Sequence, residues 1–254
     1  MAMDQLTRAV IRSFFRSYLV GANFNTRGMQ NVGLAYAMHP GLAAIHKDPA
    51  RLRQAVKRYV RHYNSHPFWA PCLVGIFLST EARIASGTFP PAMLDKVKDR
   101  TTYSLSAIGD SVFAGSLLIF WALSSVCLLL AGHTGAALSE GLIFFIGLQA
   151  FKVYSFWRGL RGGFLFLERL KRWDLINWGQ RVKYANAALL LWFWILVWPK
   201  PVTWTGWTAG LAAVALTARL VHQFHLPRPI PAGAFLAGWA LYPALAAALS
   251  GWAF

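Results

Sequence analysis

Between Arg61 and Gly75 the chain changes character within a few residues, and that change limits the possible folds more than any other feature. The segment reads Arg61-His-Tyr-Asn-Ser-His-Pro-Phe-Trp-Ala-Pro-Cys-Leu-Val-Gly75. A strongly basic helix runs into Asn64 and must stop at His66-Pro67, because the residue before a proline avoids the α region. The apolar stretch that follows, 67–80, has 14 residues and contains Pro71 and Gly75. A helix needs about 20 residues to cross a hydrocarbon core of about 30 Å, so this one is predicted to be re-entrant. A polar breakpoint between a charged and an apolar half is a place where a membrane protein exposes backbone and amide groups to a solute.

The remainder of the chain agrees with a membrane setting. Only 13% of the 254 residues are charged and 56% are hydrophobic, against roughly 25% charged in a soluble domain; the mean hydropathy is +0.42. The net charge of +16 is not read as a nucleic-acid footprint. Of 25 Lys and Arg, 10 lie in 1–64 and 8 in 152–183, beside apolar spans, where the positive-inside rule places them and where they attract anionic lipid. Cys72 and Cys127 sit in apolar surroundings, so no disulfide framework is expected. The start, Met1-Ala-Met-Asp-Gln5, lacks a compact apolar core with a cleavage site, so no cleavable signal is expected.

Residues 4–20 read as an amphipathic helix lying in the membrane interface. Leu6, Val10, Phe14 and Tyr18 form a stripe directed to lipid, and Arg8, Arg12 and Arg16 another directed to phosphates. A turn at Asn23–Gly28 precedes a short apolar run, Met29–Leu42, which contains Pro40. Asp48 and Pro49 are an N-cap and a first helical residue for a basic helix over 48–64. Glu81–Arg100 reads as a polar linker broken at Pro90-Pro91. Spans are then expected at Ser111–Leu130, Ala136–Trp157, Ala185–Trp198, Thr203–Val221 and Ala232–Phe254. The third has 14 residues and needs Val182-Lys183-Tyr184 as a snorkelling extension. Loop charge places the N-terminus inside and the C-terminus outside. Trp192, Trp194, Trp198, Trp204 and Trp207 form an aromatic belt at the outer surface. The fold class is therefore an all-α polytopic membrane protein, with N-terminal amphipathic and re-entrant helices followed by about five transmembrane helices. Its parts are an interfacial helix (1–21), a region of basic and re-entrant helices (22–110) and a transmembrane region (111–254).

Two polar clusters flank the short segments. Asn23, Asn25 and Gln30 belong to the first; Asn64, Ser65 and His66 belong to the second. Amides and imidazoles both donate and accept hydrogen bonds, which suits a neutral, hydroxyl-rich solute; each also suits a cap or turn. Asp110, after Gly109, reads as the N-cap of the first true span, or as a hydroxyl acceptor or latch between mobile parts. His62/His66 and His222/His225 have helical spacing, which raises an iron-type membrane oxygenase. Such sites need about eight histidines with carboxylate support, and the chain has 7. No zinc-protease, phosphate-loop or nucleophile-elbow pattern is present. No metal and no cofactor is expected.

The words Phe15-Arg-Ser17, Met29-Gln-Asn-Val-Gly33, Ala37-Met-His-Pro40 and Tyr63-Asn-Ser-His-Pro-Phe68 are similar to the F-x-R-S, N-x-x-R-M-Q-x-x-G, a-M-x-P and F-N-T-x-P-F words of one family. Over about 12–120 the N-terminal half resembles the IID membrane subunit of mannose-family phosphotransferase systems (PTS). The resemblance implies a subunit of a group-translocating permease in the bacterial inner membrane, paired with a IIC subunit as a trimer of heterodimers. A hexose would be carried inward and phosphorylated by the cytoplasmic IIB/IIA proteins, with no phosphorylation site on this chain. It implies Asn64 and Gln30 as sugar-side residues, with Asn25 and His66 behind them, and Asp110 and Gly109 near a gate. The family's G-P-x-A-G-x-G-D-P loop is here Tyr103-Ser-Leu-Ser-Ala-Ile-Gly-Asp-Ser111. Loss of its glycines and proline predicts a less kinked segment. The family's frequent glutamine before Pro67 is His66, which brings a pH response. A non-transporting IID-like sensor or interaction protein is the rival expectation.

Overall fold

The computed structural model describes residues 2–198, 203–227 and 229–250, and every regular element among them is helical. Two compact units, Met1–Val197 and Trp198–Phe254, are described each by itself.

The first unit is built around α4 (Ala70–Ala85). Ala70 through Leu78, then Thr80 and Glu81, are all buried, so this short apolar helix is enclosed by protein. It packs along α7 (Thr134–Gly162) and against α1 (Ala2–Ser17), α2 (Asn31–Ile45) and α5 (Pro91–Gly109). Glycine makes the α4–α7 crossing possible. A Cβ on Gly75 would enter the Phe156 carbonyl, and one on Gly159 would stand 2.7 Å from the Cys72 carbonyl. Small residues of this kind bring helix backbones together inside membranes.

α3 (Pro49–Tyr59) starts as its sequence predicts: the Asp48 carboxylate accepts from the Ala50 and Arg51 N–H groups at 3.2 and 3.1 Å. Those bonds hold the Asp48 carboxyl below its usual range. Ala55 and Tyr59 are buried and the basic face is turned out.

Three expectations are corrected. The polar linker at 81–100 is largely helical, because α4 runs on to Ala85 and α5 begins at Pro91. The expected lipid stripe along α1 is divided: Val10 is buried and Phe14 packs on Phe156 at 5.1 Å, while Leu6 and Tyr18 stay exposed, as do Ile11, Phe15 and Leu19. Asp110 caps nothing. The helix that starts at Pro91 continues through it, so the N–H groups a cap would satisfy already have helical partners.

From Asp110 to Leu117 that helix is wound as a π-helix, then continues as α6 (Leu118–Leu130). The wide turn leaves room for hydrogen bonds from outside the α pattern. Ser116 Oγ donates to the Ser111 carbonyl (2.8 Å), and Asn186 Nδ2 of α9 (Leu175–Val197) donates to the Ser116 carbonyl (3.1 Å). Near the other end of the hairpin, Glu140 of α7 accepts from the hydroxyls of Ser124 and Ser125 on α6. Pro91–Leu130 and Thr134–Gly162 are long and apolar enough to cross a bilayer. A short amphipathic α8 (Leu165–Lys171) follows α7 and buries Phe166 and Leu170.

The second unit contains α10 (Trp204–Phe224) and α11 (Pro229–Ser250). Thr203 caps α10 through Gly206 N–H (3.2 Å), and Trp198 meets Trp207 with ring centres 5.7 Å apart. The expected end of the last span, 251–254, lies outside the described residues.

Candidate functional site

α3 ends at Tyr59, short of the expected Asn64 and well before Pro67, and α4 begins at Ala70, so residues 60–69 form a polar loop at the head of a buried helix. The loop is fastened by backbone to the turn before α2. Gln30 N–H donates to the Tyr63 carbonyl (2.8 Å) and Tyr63 N–H to the Gly28 carbonyl (3.2 Å). Met29, at φ 59°, makes the left-handed turn that this pairing requires.

Asn25 organises that turn. Its Oδ1 accepts from the Arg27 and Gly28 N–H groups, and its Nδ2 donates to the Met29 carbonyl and to Asn31 Oδ1. Both ends of the amide are occupied. Gln30 is half-buried, and its Oε1 accepts from the Ser65 N–H at 3.1 Å. Asn64 stands exposed beside it. Trp69 Nε1 lies buried without a hydrogen-bond partner, and the buried Tyr63 and Ser65 hydroxyls act on each other. Burial drives the Tyr63 phenol far above its ordinary range.

His66 is buried and stacks on Phe113 of the π-helical segment (5.4 Å between centres, 22° between planes) and meets Phe68 at 5.2 Å. Gly109 permits this approach: a Cβ there would strike the His66 Cβ and the Trp69 ring. His66 Nδ1 accepts from the Phe68 N–H (3.3 Å), which assigns the proton of the neutral ring to Nε2. Burial pulls the imidazole pKa below its usual value; Asp110 pulls it up and Lys152 pushes it down. The ring is therefore neutral at physiological pH. The structure thus gathers Gln30, Asn64, Ser65, His66, Gly109 and Asp110 about the head of α4, with Asn25 as a brace one turn away.

Two groups were missed by sequence reasoning. Lys152 on α7 lies 4.3 Å from the Tyr18 ring centre and 5.0 Å from that of Phe68. Its position beside an apolar run is the ordinary place for a topogenic lysine, so only the fold reveals the aromatic seat. Glu81 is fully buried and accepts from His46 Nε2 (2.8 Å), from Arg58 Nε and Nη2 (3.0 and 2.6 Å) and from the Tyr59 hydroxyl (3.0 Å). Lys98 donates to the Arg58 carbonyl at 2.7 Å, which ties α5 to the last turn of α3. Among the described residues, no three His, Cys, Asp or Glu side chains gather as a metal site.

The family described as "PTS system mannose/fructose/sorbose family IID component" matches residues 5–182. The mannose-specific EIID component of Escherichia coli is 26% identical over 163 residues, covering 63% of this chain and 56% of that protein. The fructose permease IID component of Bacillus subtilis is 24% identical over 163 residues, covering 63% and 58%. The chain thus spans little more than half the length of these curated relatives. A structure described only as a membrane protein superposes with a TM-score of 0.68 at 18% identity, over 93% of this chain and 96% of that one. The mannose transporter ManYZ in complex with a microcin gives 0.50 at 20% identity, with the same coverage. Those two likenesses speak for the helical fold, and the family match extends from α1 through the polar loop into α9. The chain belongs to the IID components of the mannose/fructose/sorbose family of phosphotransferase systems.

Proposed function

We propose that this chain is the IID subunit of a permease that carries a hexose across the bacterial inner membrane with a IIC partner. A separate IIB protein, charged by IIA, phosphorylates the sugar on the cytoplasmic side. The observation that carries the reading is the polar loop at the head of α4, where Asn64, Gln30 and His66 stand beside a buried helix start. Amides and a neutral imidazole there can donate to and accept from hydroxyls without placing net charge in the membrane. Asn25 acts behind them by shaping the turn. Relatives named for mannose and fructose support a hexose as the solute. In this reading α4 is re-entrant, α9, α10 and α11 join the two long apolar helices as spans, and the basic segments 1–64 and 152–183 face the cytoplasm and its anionic lipids. The partner assembly is a trimer of heterodimers.

Asn64→Ala and Gln30→Ala test the site. Each removes about one hydrogen-bonding group, so hexose uptake is expected to fall roughly 5- to 10-fold, with assembly unchanged on size exclusion. Asn64 is the cleaner probe, since Gln30 also holds the Ser65 backbone. Wild-type uptake by both assembled variants would contradict the assignment.

The unbroken helix from Pro91 to Leu130 favours one rival reading. Without a kinked loop at 103–111 a gate has less freedom to move, as in a non-transporting relative that docks or senses a partner.

A further inference from the structure

Asp110 and Lys152 lie at the same end of two neighbouring helices. Asp110 is 20 residues from Leu130 along its helix, and Lys152 is 18 residues from Thr134 along α7. At 1.5 Å per residue these are depths of about 30 and 27 Å, so both groups sit near one boundary of a hydrocarbon core about 30 Å thick. Lys152 is half-buried at this boundary, beside the polar loop. Among the described residues Lys152 has no carboxylate within ion-pair distance. Its ammonium rests on two rings, Tyr18 and Phe68, which offset part of its desolvation but accept no hydrogen bond. Asp110 is exposed, and both charges act on His66 between them. Next to them Phe68 and Trp69 meet Phe113 at 5.0 and 5.6 Å, and the buried Trp69 Nε1 lacks a partner.

We propose that Lys152 is a specificity-determining residue of the hexose site, its ammonium donating a hydrogen bond to one sugar hydroxyl while Asp110 accepts from another. The inference rests on the transport reading above. The chemistry selects a neutral polyhydroxylated ligand. One cation, one anion and a neutral imidazole leave no net charge for an anionic occupant, which would also meet Asp110. The ammonium, with three rotatable donors on a long stem, suits one defined hydroxyl.

The test uses the purified complex with its IIC partner and calorimetric titration of a hexose and its monodeoxy analogues. Lys152→Met keeps the stem and removes the donor; loss of a hydrogen bond to a charged group should weaken hexose binding about 10- to 100-fold. One deoxy analogue, lacking the contacted hydroxyl, should bind wild type and variant equally. Lys152→Arg keeps a cation over both rings, so it assembles even if Lys152→Met does not, and the same analogue should abolish its difference from wild type. An equal loss for every analogue, or unchanged hexose binding, overturns the assignment while the transport reading stands. Binding of inorganic phosphate or a sugar phosphate in preference to the hexose overturns it as well. A wild-type complex that binds no hexose overturns both.

Discussion

At His66, burial, one carboxylate and one ammonium act on a single imidazole, and burial dominates. In an unfolded chain a histidine titrates near pH 6.5; in the folded protein the value is lower. Above pH 6.5 the ring is neutral in both states and its contribution to stability is fully present. Below that pH the unfolded chain accepts a proton that the folded protein resists, so stability falls as the pH falls through the folded value. His66→Phe retains a ring against Phe113 and removes the titration. The midpoint of thermal unfolding between pH 7 and 5 should therefore fall less steeply in His66→Phe than in wild type. Parallel curves would contradict this account. The sequence marked His66 as the position before a helix-breaking proline, but its stack on Phe113 joins positions 47 residues apart. Asn25 shows the reverse case: an amide in a turn looks the same whether it binds a solute or shapes the backbone, and only its four hydrogen bonds show the second role.

Among the elements, α3 and α4 are joined through Glu81. Its carboxylate is out of contact with water and holds donors from the C-cap of α2 and from α3, while Lys98 on α5 secures the end of α3. This clamp fixes α3, and α3 leads directly into the 60–69 loop. Arg58→Ala would leave a buried charge with its main counter-ion gone, at a cost of about 3–5 kcal/mol. Arg61→Ala breaks a pair with Asp95 in which the arginine is mostly exposed, and should cost about 0–1 kcal/mol. Chemical unfolding in detergent checks the contrast, and equal effects of the two variants would refute the clamp. The beginning of α3 was legible because its signal, Asp48-Pro49, is local. Glu81 was not, because its partners lie 22 to 35 residues earlier in the chain. The enclosure of α4 was also hidden, since a short apolar run reads the same in lipid or in protein until Gly75 and Gly159 bring two helices together.

Across the whole molecule, hydropathy pointed to the membrane class, and four short words around residues 15, 29, 37 and 63 carry the family resemblance that the match over residues 5–182 bears out. The helix lengths were harder to read. α9 begins ten residues before the expected Ala185, and Gly179, within that extension, lies against Val112 and Ser116 of the π-helical turn. Asp110 looked like the start of a span because the letters change from polar to apolar there, yet the backbone passes through unbroken. The central claim is that the polar loop at the head of α4 forms a hexose site completed by a IIC partner. Its most direct test is to purify this chain alone and together with that partner, and to titrate each with a panel of hexoses by calorimetry. The account predicts saturable hexose binding by the joint complex and none by the single chain; a stable complex that binds no hexose would contradict it.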